Sequence, residues 1–103
     1  MNIIKAPVTK EDIIREYEFL NRRVAKEIRG GEEIARFDRY ALYNKLDKNS
    51  WDGVYASLLS LSGFLRDHKR YEPEWARSER SEELINSVLS LAGLVKSSFP
   101  VTL

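Results

Sequence analysis

SLLSLSG at residues 57–63 returns thirty residues later as SVLSLAG at residues 87–93, with five of the seven positions identical. Leucine and valine in and around both copies recur at three- and four-residue spacing, which is the pattern of one apolar helix face. Small residues share another helical spacing and would let two backbones approach closely: Ser60, Gly63, Ser90 and Gly93. The repeat therefore predicts an antiparallel helix pair, packed through these four residues within one chain or between two chains. A helical-repeat array is disfavoured because such arrays need three or more copies.

Helical spacing also covers most of the remaining chain, and no segment shows the two-residue alternation of a strand. We predict an all-α fold, a compact four-helix bundle, in a single helical domain over residues 1–103. The helices are expected at about residues 10–29, 32–46, 50–70 and 80–98, with a short helical turn near 73–77. Pro73 suits the first position of that short turn.

Local signals mark the ends of these helices. Thr9 and Asp12 have the spacing of a capping box at the start of the first helix. Gly30-Gly31 is expected to stop that helix, and Asn49 is expected to cap the third. Pro100 should end the fourth helix, and we expect the residues after it to fray.

The second helix carries apolar residues on two sides. One side holds Ile34, Phe37 and Ala41, and the other holds Ala35, Leu42 and Leu46. Because apolar surface on a helix is normally covered, we expect this helix to contact two neighbours at once.

Composition argues against several classes of function. The chain has 17 basic and 16 acidic residues, a net charge of +1, no cysteine and one histidine, His68. No metal, no cofactor and no catalytic residue are predicted, since neither a ligand cluster nor a glycine-rich phosphate loop occurs. We expect a non-enzymatic protein. Without an apolar run that could span a bilayer, or a signal-like start, we expect a cytoplasmic location and no membrane contact.

Two basic and aromatic surfaces are the candidate binding sites. On the first helix, one apolar stripe is expected to face the core, formed by Ile13, Tyr17, Leu20, Val24 and Ile28. Phe19 lies near Arg22 and Lys26, on the side away from this stripe. The second helix adds a further set on the face between its two apolar sides: Arg36, Arg39, Tyr40 and Tyr43. Arginine and aromatic residues are enriched at protein interfaces, although such positions are equally typical of a solvated helix face or of tyrosines covering a core.

Trp75 carries two interpretations. Beside a proline in a charged stretch it could anchor a partner, but a tryptophan in a chain of this size more often closes the core.

These observations favour a small protein–protein interaction module, such as an adaptor, inhibitor or assembly factor. We expect a protein partner and self-association, with a dimer favoured, because a small helical domain often needs a partner to bury its last apolar surface. The alternative is a nucleic-acid-binding regulator with a helix-turn-helix-like bend at Gly30-Gly31. The near-zero net charge argues against that alternative, and a small enzyme comes third.

Overall fold

The computed structural model describes residues 8–103 and contains five helices in that range. They are α1 (Lys10–Glu27), α2 (Gly31–Asp47), α3 (Trp51–His68), α4 (Pro73–Arg77) and α5 (Glu79–Ser98). No strand occurs among residues 8–103. The predicted all-α bundle is therefore confirmed, and the helix ends differ from the predicted ones by at most two residues.

The four long helices form a closed ring of neighbours. α1 packs on α2, α2 on α3, α3 on α5 and α5 back on α1, while short α4 packs on α5. Because short connections join successive long helices, neighbours run antiparallel, as in an up-down-up-down bundle. All four long helices contribute fully buried side chains to one core, the largest being Tyr17, Ile13, Leu42, Leu46, Leu58, Leu65, Leu84 and Ile85.

The start of α1 confirms the predicted capping box. The backbone amide of Asp12 donates to the Thr9 hydroxyl at 3.2 Å, and the Thr9 amide donates to the Asp12 carboxylate at 2.9 Å. These bonds occupy two groups that a helix start otherwise leaves unpaired. The amide of Thr9 and the guanidinium of Arg15 hold the pKa of Asp12 below its usual value.

Asn49 does not cap α3, which corrects that prediction. It adopts a left-handed backbone with φ 52° and ends α2 instead. The Asn49 amide donates to the Leu46 carbonyl at 3.0 Å, and the Ser50 amide donates to the Lys45 carbonyl at 2.9 Å. This is the Schellman arrangement, which favours a residue such as asparagine that tolerates positive φ. Ser50 then precedes α3.

Close helix packing depends on Gly31. A Cβ atom added there would lie 2.1 Å from the carbonyl oxygen of Val24 and 3.0 Å from that of Ala25. Gly30, with φ 70°, turns the chain into α2, whereas α1 has already ended at Glu27. The glycine pair thus does more than stop a helix, because its second member lets α2 begin directly against α1.

The duplicated segment packs differently from the prediction. α3 and α5 do lie side by side within the chain, so the expected helix pair is confirmed. Ser60, Gly63, Ser90 and Gly93, however, are all exposed, and a Cβ atom on either glycine would meet nothing within 4 Å. Leu58, Leu61, Val88 and Leu91 face the core, whereas these four small residues lie on the solvent side. A tight contact through these four residues within one chain is therefore absent, and a contact between chains stays a prediction.

The end of the chain folds back instead of fraying. The ring of Phe99 stacks on that of Trp51, with centroids 3.7 Å apart and planes 12° from parallel. The amide and hydroxyl of Thr102 donate to the Asp52 carboxylate at 2.6 and 2.5 Å, and these bonds lower the pKa of Asp52. The segment after α5 is therefore fixed to the start of α3.

Candidate functional site

The predicted site on α1 forms one wall of a groove. Phe19, Arg22 and Lys26 line it together with Trp75 from α4 and Arg80 from α5. We call this the α1–α4 groove, and its volume is about 430 Å³. The i, i+3, i+7 spacing on α1 brings its three residues to one side of the helix. Sequence reasoning had grouped these three, but it could not place α4 and α5 beside them.

Positive charge dominates the groove. Two further residues line it, Arg23 and Glu27, and they form an ion pair with a 2.7 Å nitrogen–oxygen distance. Arg23 also contacts Glu83 at 3.0 Å. Within residues 8–103 no ion pair involves Arg22, Lys26 or Arg80, and all three side chains are exposed.

The aromatic residues of the groove differ in exposure. Phe19 leaves 53% of its surface exposed, which is unusual for a large apolar side chain and confirms that it points away from the core. Trp75 is only 7% exposed and belongs to the core cluster, which resolves its two interpretations in favour of closing the core. Its indole Nε1 is buried without a hydrogen-bond partner in the described structure.

Glu72, the residue immediately before α4, holds the start of α4 close to the end of α1. Its carboxylate accepts a 3.0 Å hydrogen bond from the Arg29 backbone amide and lies 2.9 Å from Nε2 of His68. These contacts, the amide first, lower the pKa of Glu72. The ring of His68 also meets the ring of Trp75 edge to face, at 6.0 Å between centroids. The wall opposite α1 is therefore held at the junction of three elements.

The four residues predicted as a binding site on α2 line one shallow depression: Arg36, Arg39, Tyr40 and Tyr43. Their contacts differ. Arg39 and Tyr43 both bind Glu18 of α1, through Nε at 2.7 Å and the hydroxyl at 2.6 Å. The Arg39 guanidinium also lies over the Tyr43 ring, 5.4 Å from its centroid. Partial burial and the Glu18 carboxylate raise the pKa of Tyr43. These two residues thus belong to the α1–α2 seam, whereas Arg36 and Tyr40 face solvent.

Phe37 and Ala41 are also exposed, so their predicted packing on a neighbouring helix is wrong. Phe37 is 75% exposed and Tyr40 is 77% exposed, while Ile34 from the same predicted side is partly buried. Both neighbours of α2, namely α1 and α3, pack against the side that carries Ala35, Leu42 and Leu46. Sequence reasoning missed Phe37 as a surface residue, because apolar periodicity alone assigned it to a helix contact.

A buried polar chain crosses the α1–α2 seam. The side-chain amide of Asn21 donates to the Tyr17 hydroxyl at 3.1 Å and to the Ala35 carbonyl at 2.9 Å, and the Tyr17 hydroxyl donates to Asp38. Burial raises the pKa of both Tyr17 and Asp38. Sequence reasoning placed Tyr17 in the apolar stripe of α1; the available signal was Asn21, a polar residue one turn further along that helix.

The bend at Gly30-Gly31 produces a hairpin. α1 and α2 touch from Val24 and Gly31 beside the turn out to Glu18 and Tyr43. Twelve residues of α2 separate Gly31 from Tyr43, about 18 Å of helix. The two helices joined by this bend therefore pack on each other, and the helix-turn-helix-like bend stays a prediction.

Within residues 8–103 no group of three or more histidine, aspartate or glutamate residues is arranged to hold a metal ion. The helices described are all too short or too polar to cross a membrane. Comparison with known proteins finds no matching family model, no matching curated protein and no matching solved structure.

Proposed function

We propose that this chain is a small cytoplasmic, non-enzymatic interaction module that binds an acidic segment of a partner protein in the α1–α4 groove. One observation carries the proposal: Phe19 is 53% exposed in a groove whose cations Arg22 and Lys26 have no ion pair in the described chain. Arginine and aromatic residues that lie together at a concave surface are typical anchors of protein interfaces.

The chemistry of the groove favours a polypeptide occupant. Carboxylates would pair with Arg22, Lys26 and Arg80, and an apolar side chain between them would cover Phe19. A nucleic acid is a poorer match, because Glu27 lines the same groove and the whole chain carries a net charge of only +1. Phosphate backbones need a cationic track with few acids.

A titration followed by nuclear magnetic resonance tests this proposal. The probe is a synthetic peptide of glutamate, leucine and phenylalanine, added to isotopically labelled protein. We expect shifts concentrated on the groove residues, and at least about tenfold weaker binding in the double variant R22E/K26E, since two such contacts contribute on the order of 1 kcal/mol each. The matched control is R66E/R70E, which changes the net charge equally at exposed arginines outside the groove and should bind like the wild type.

Two further probes make the experiment decisive. A peptide with lysine in place of glutamate should not bind, and a single-stranded oligothymidylate should bind more weakly than the acidic peptide. If the oligonucleotide binds more tightly in the same groove, the nucleic-acid alternative replaces this proposal. Equal loss of peptide binding in R22E/K26E and R66E/R70E would mean non-specific charge attraction and would overturn it.

The natural partner can then be sought with the same pair of variants as baits. Proteins captured by the wild type and by R66E/R70E, but lost with R22E/K26E, are the expected partners. They should contain an acidic segment that competes with the synthetic peptide.

A further inference from the structure

The solvent side of α2 presents an ordered pattern of charges around an aromatic centre. We call it the α2 outer face, and its residues are Glu33, Arg36, Phe37, Tyr40, Ala41, Asn44, Asp47 and Lys48. All are exposed, and none of their side chains forms a hydrogen bond or ion pair within residues 8–103. Acidic and basic residues stand at both ends of the face, and Phe37 and Tyr40 lie between them.

The charges of this face are complementary to those of a second copy whose α2 runs in the opposite direction. Consider a second copy turned by 180° about an axis through the face near Ala41. Glu33 is eight residues before Ala41 and Lys48 seven after it, so at 1.5 Å per residue both lie about 11 Å from the axis. Each glutamate would then face Lys48 of the partner subunit.

A second pair follows from the same rotation. Arg36 and Asp47 lie about 8 and 9 Å from the axis on opposite sides of it, again from the helical rise. Eleven residues separate Arg36 from Asp47, which is about three full turns, so the two lie on the same flank of the helix. In a twofold antiparallel pair of helices, each flank lies against the same flank of the partner helix. Arg36 would therefore face Asp47 of the partner subunit, and Tyr40 would lie at the centre.

We infer that the α2 outer face is a self-association surface on which two copies pack their α2 helices antiparallel across a twofold axis. Phe37 and Tyr40 are covered at the centre, and four ion pairs close the two ends. A twofold contact needs one patch that is complementary to itself, which this face is and an ordinary partner surface need not be. The inference uses a surface separate from the α1–α4 groove, so either proposal can fail while the other stands.

The size of the contact sets its expected strength. One helix pair buries less than the roughly 800 Å² per partner of a standard interface. We therefore expect a reversible dimer with a dissociation constant weaker than about 1 μM. Sedimentation equilibrium from about 10 μM to 1 mM should show the wild-type chain passing from monomer to dimer.

Charge reversal identifies the contact. E33K alone and K48E alone should each weaken the dimer by at least about tenfold, because two like-charge contacts replace two ion pairs. An equimolar mixture of E33K and K48E should form a heterodimer, since both of its contacts again join opposite charges. The double variant E33K/K48E should form a homodimer close to the wild type in strength.

The double variant also controls for changes in folding. It combines the two charge changes near the ends of α2, and so has the effects of both single variants on the helix dipole, yet it should associate. Circular dichroism melting accompanies each measurement. A wild type that is monomeric at 1 mM, a dimer indifferent to E33K and K48E, or single variants that fail to restore association on mixing would each overturn the inference.

Discussion

The hydroxyl of Tyr17 donates a hydrogen bond to the carboxylate of Asp38, joining the middle of α1 to the middle of α2. The same hydroxyl accepts from Asn21, whose amide also binds the Ala35 carbonyl. Tyr17 is fully buried and Asp38 is half-buried, so this polar chain lies beneath the α1–α2 seam. An apolar stripe would allow α1 to slide along α2, whereas these directional bonds favour one register.

Tyr17→Phe should lower the free energy of unfolding by about 1–3 kcal/mol at pH 7, because it leaves a half-buried carboxylate and the Asn21 amide with one partner fewer. Urea unfolding monitored by circular dichroism measures this loss. Tyr43→Phe is the matched control. It also removes a hydroxyl bound to a carboxylate, that of Glu18, but at a more exposed position, and should cost less than about 1 kcal/mol. Equal losses in the two variants would contradict the importance of the buried chain.

Asp38 should make the protein relatively more stable in acid. Burial raises its pKa in the folded state above the usual 3.8, despite the opposing hydrogen bond from Tyr17. The folded state therefore binds this proton more tightly than the unfolded state, and stability rises as pH falls through the raised pKa. Below the ordinary value of 3.8 the gain is complete.

Asp38→Asn isolates this effect, because other carboxylates titrate in both proteins. The groups with lowered pKa, such as Asp12 and Glu72, lose their contributions in acid in either protein. We expect the stability of the wild type relative to Asp38→Asn to increase between pH 7 and pH 3. A difference that stays constant or shrinks over this range would show that Asp38 is not desolvated.

The glycines should respond to substitution in opposite directions. Gly31→Ala should destabilise by about 2 kcal/mol or more, since the new methyl group would overlap the Val24 carbonyl oxygen. Gly63→Ala and Gly93→Ala should instead stabilise by about 0.5–1 kcal/mol, because both sites are open, lie inside helices and favour alanine. Thermal melting of the three single variants decides the matter. Loss of stability in Gly63→Ala or Gly93→Ala would indicate a close contact at that glycine after all.

The helices were predictable because their signals are local. The stripe from Ile13 to Ile28, the Thr9–Asp12 capping box and the proline that begins α4 are each recognised from residues a few positions apart. Phe37 and Gly63 were not predictable in the same way. Whether a side chain on a helix is covered depends on how many neighbours that helix has, and the spacing of residues along one helix does not contain that number.

The same difference between local signals and long-range contacts applies to the candidate surfaces. Sequence placed Phe19, Arg22 and Lys26 on one side of α1, which needs only helical geometry. It could not show that Arg39 is occupied by Glu18, a contact between residues 21 positions apart. The opposite wall of the groove was equally inaccessible, since α4 reaches α1 only through the packing of the whole bundle.

The two tryptophans lie at opposite ends of α3, with Trp51 beneath Phe99 at its start and Trp75 beside His68 at its end. Seventeen residues of helix separate these ends, or about 26 Å. Trp51→Phe would leave a single indole fluorophore in the wall of the α1–α4 groove. The molecule thus carries an intrinsic optical reporter whose emission would register an occupant of that groove without any added dye.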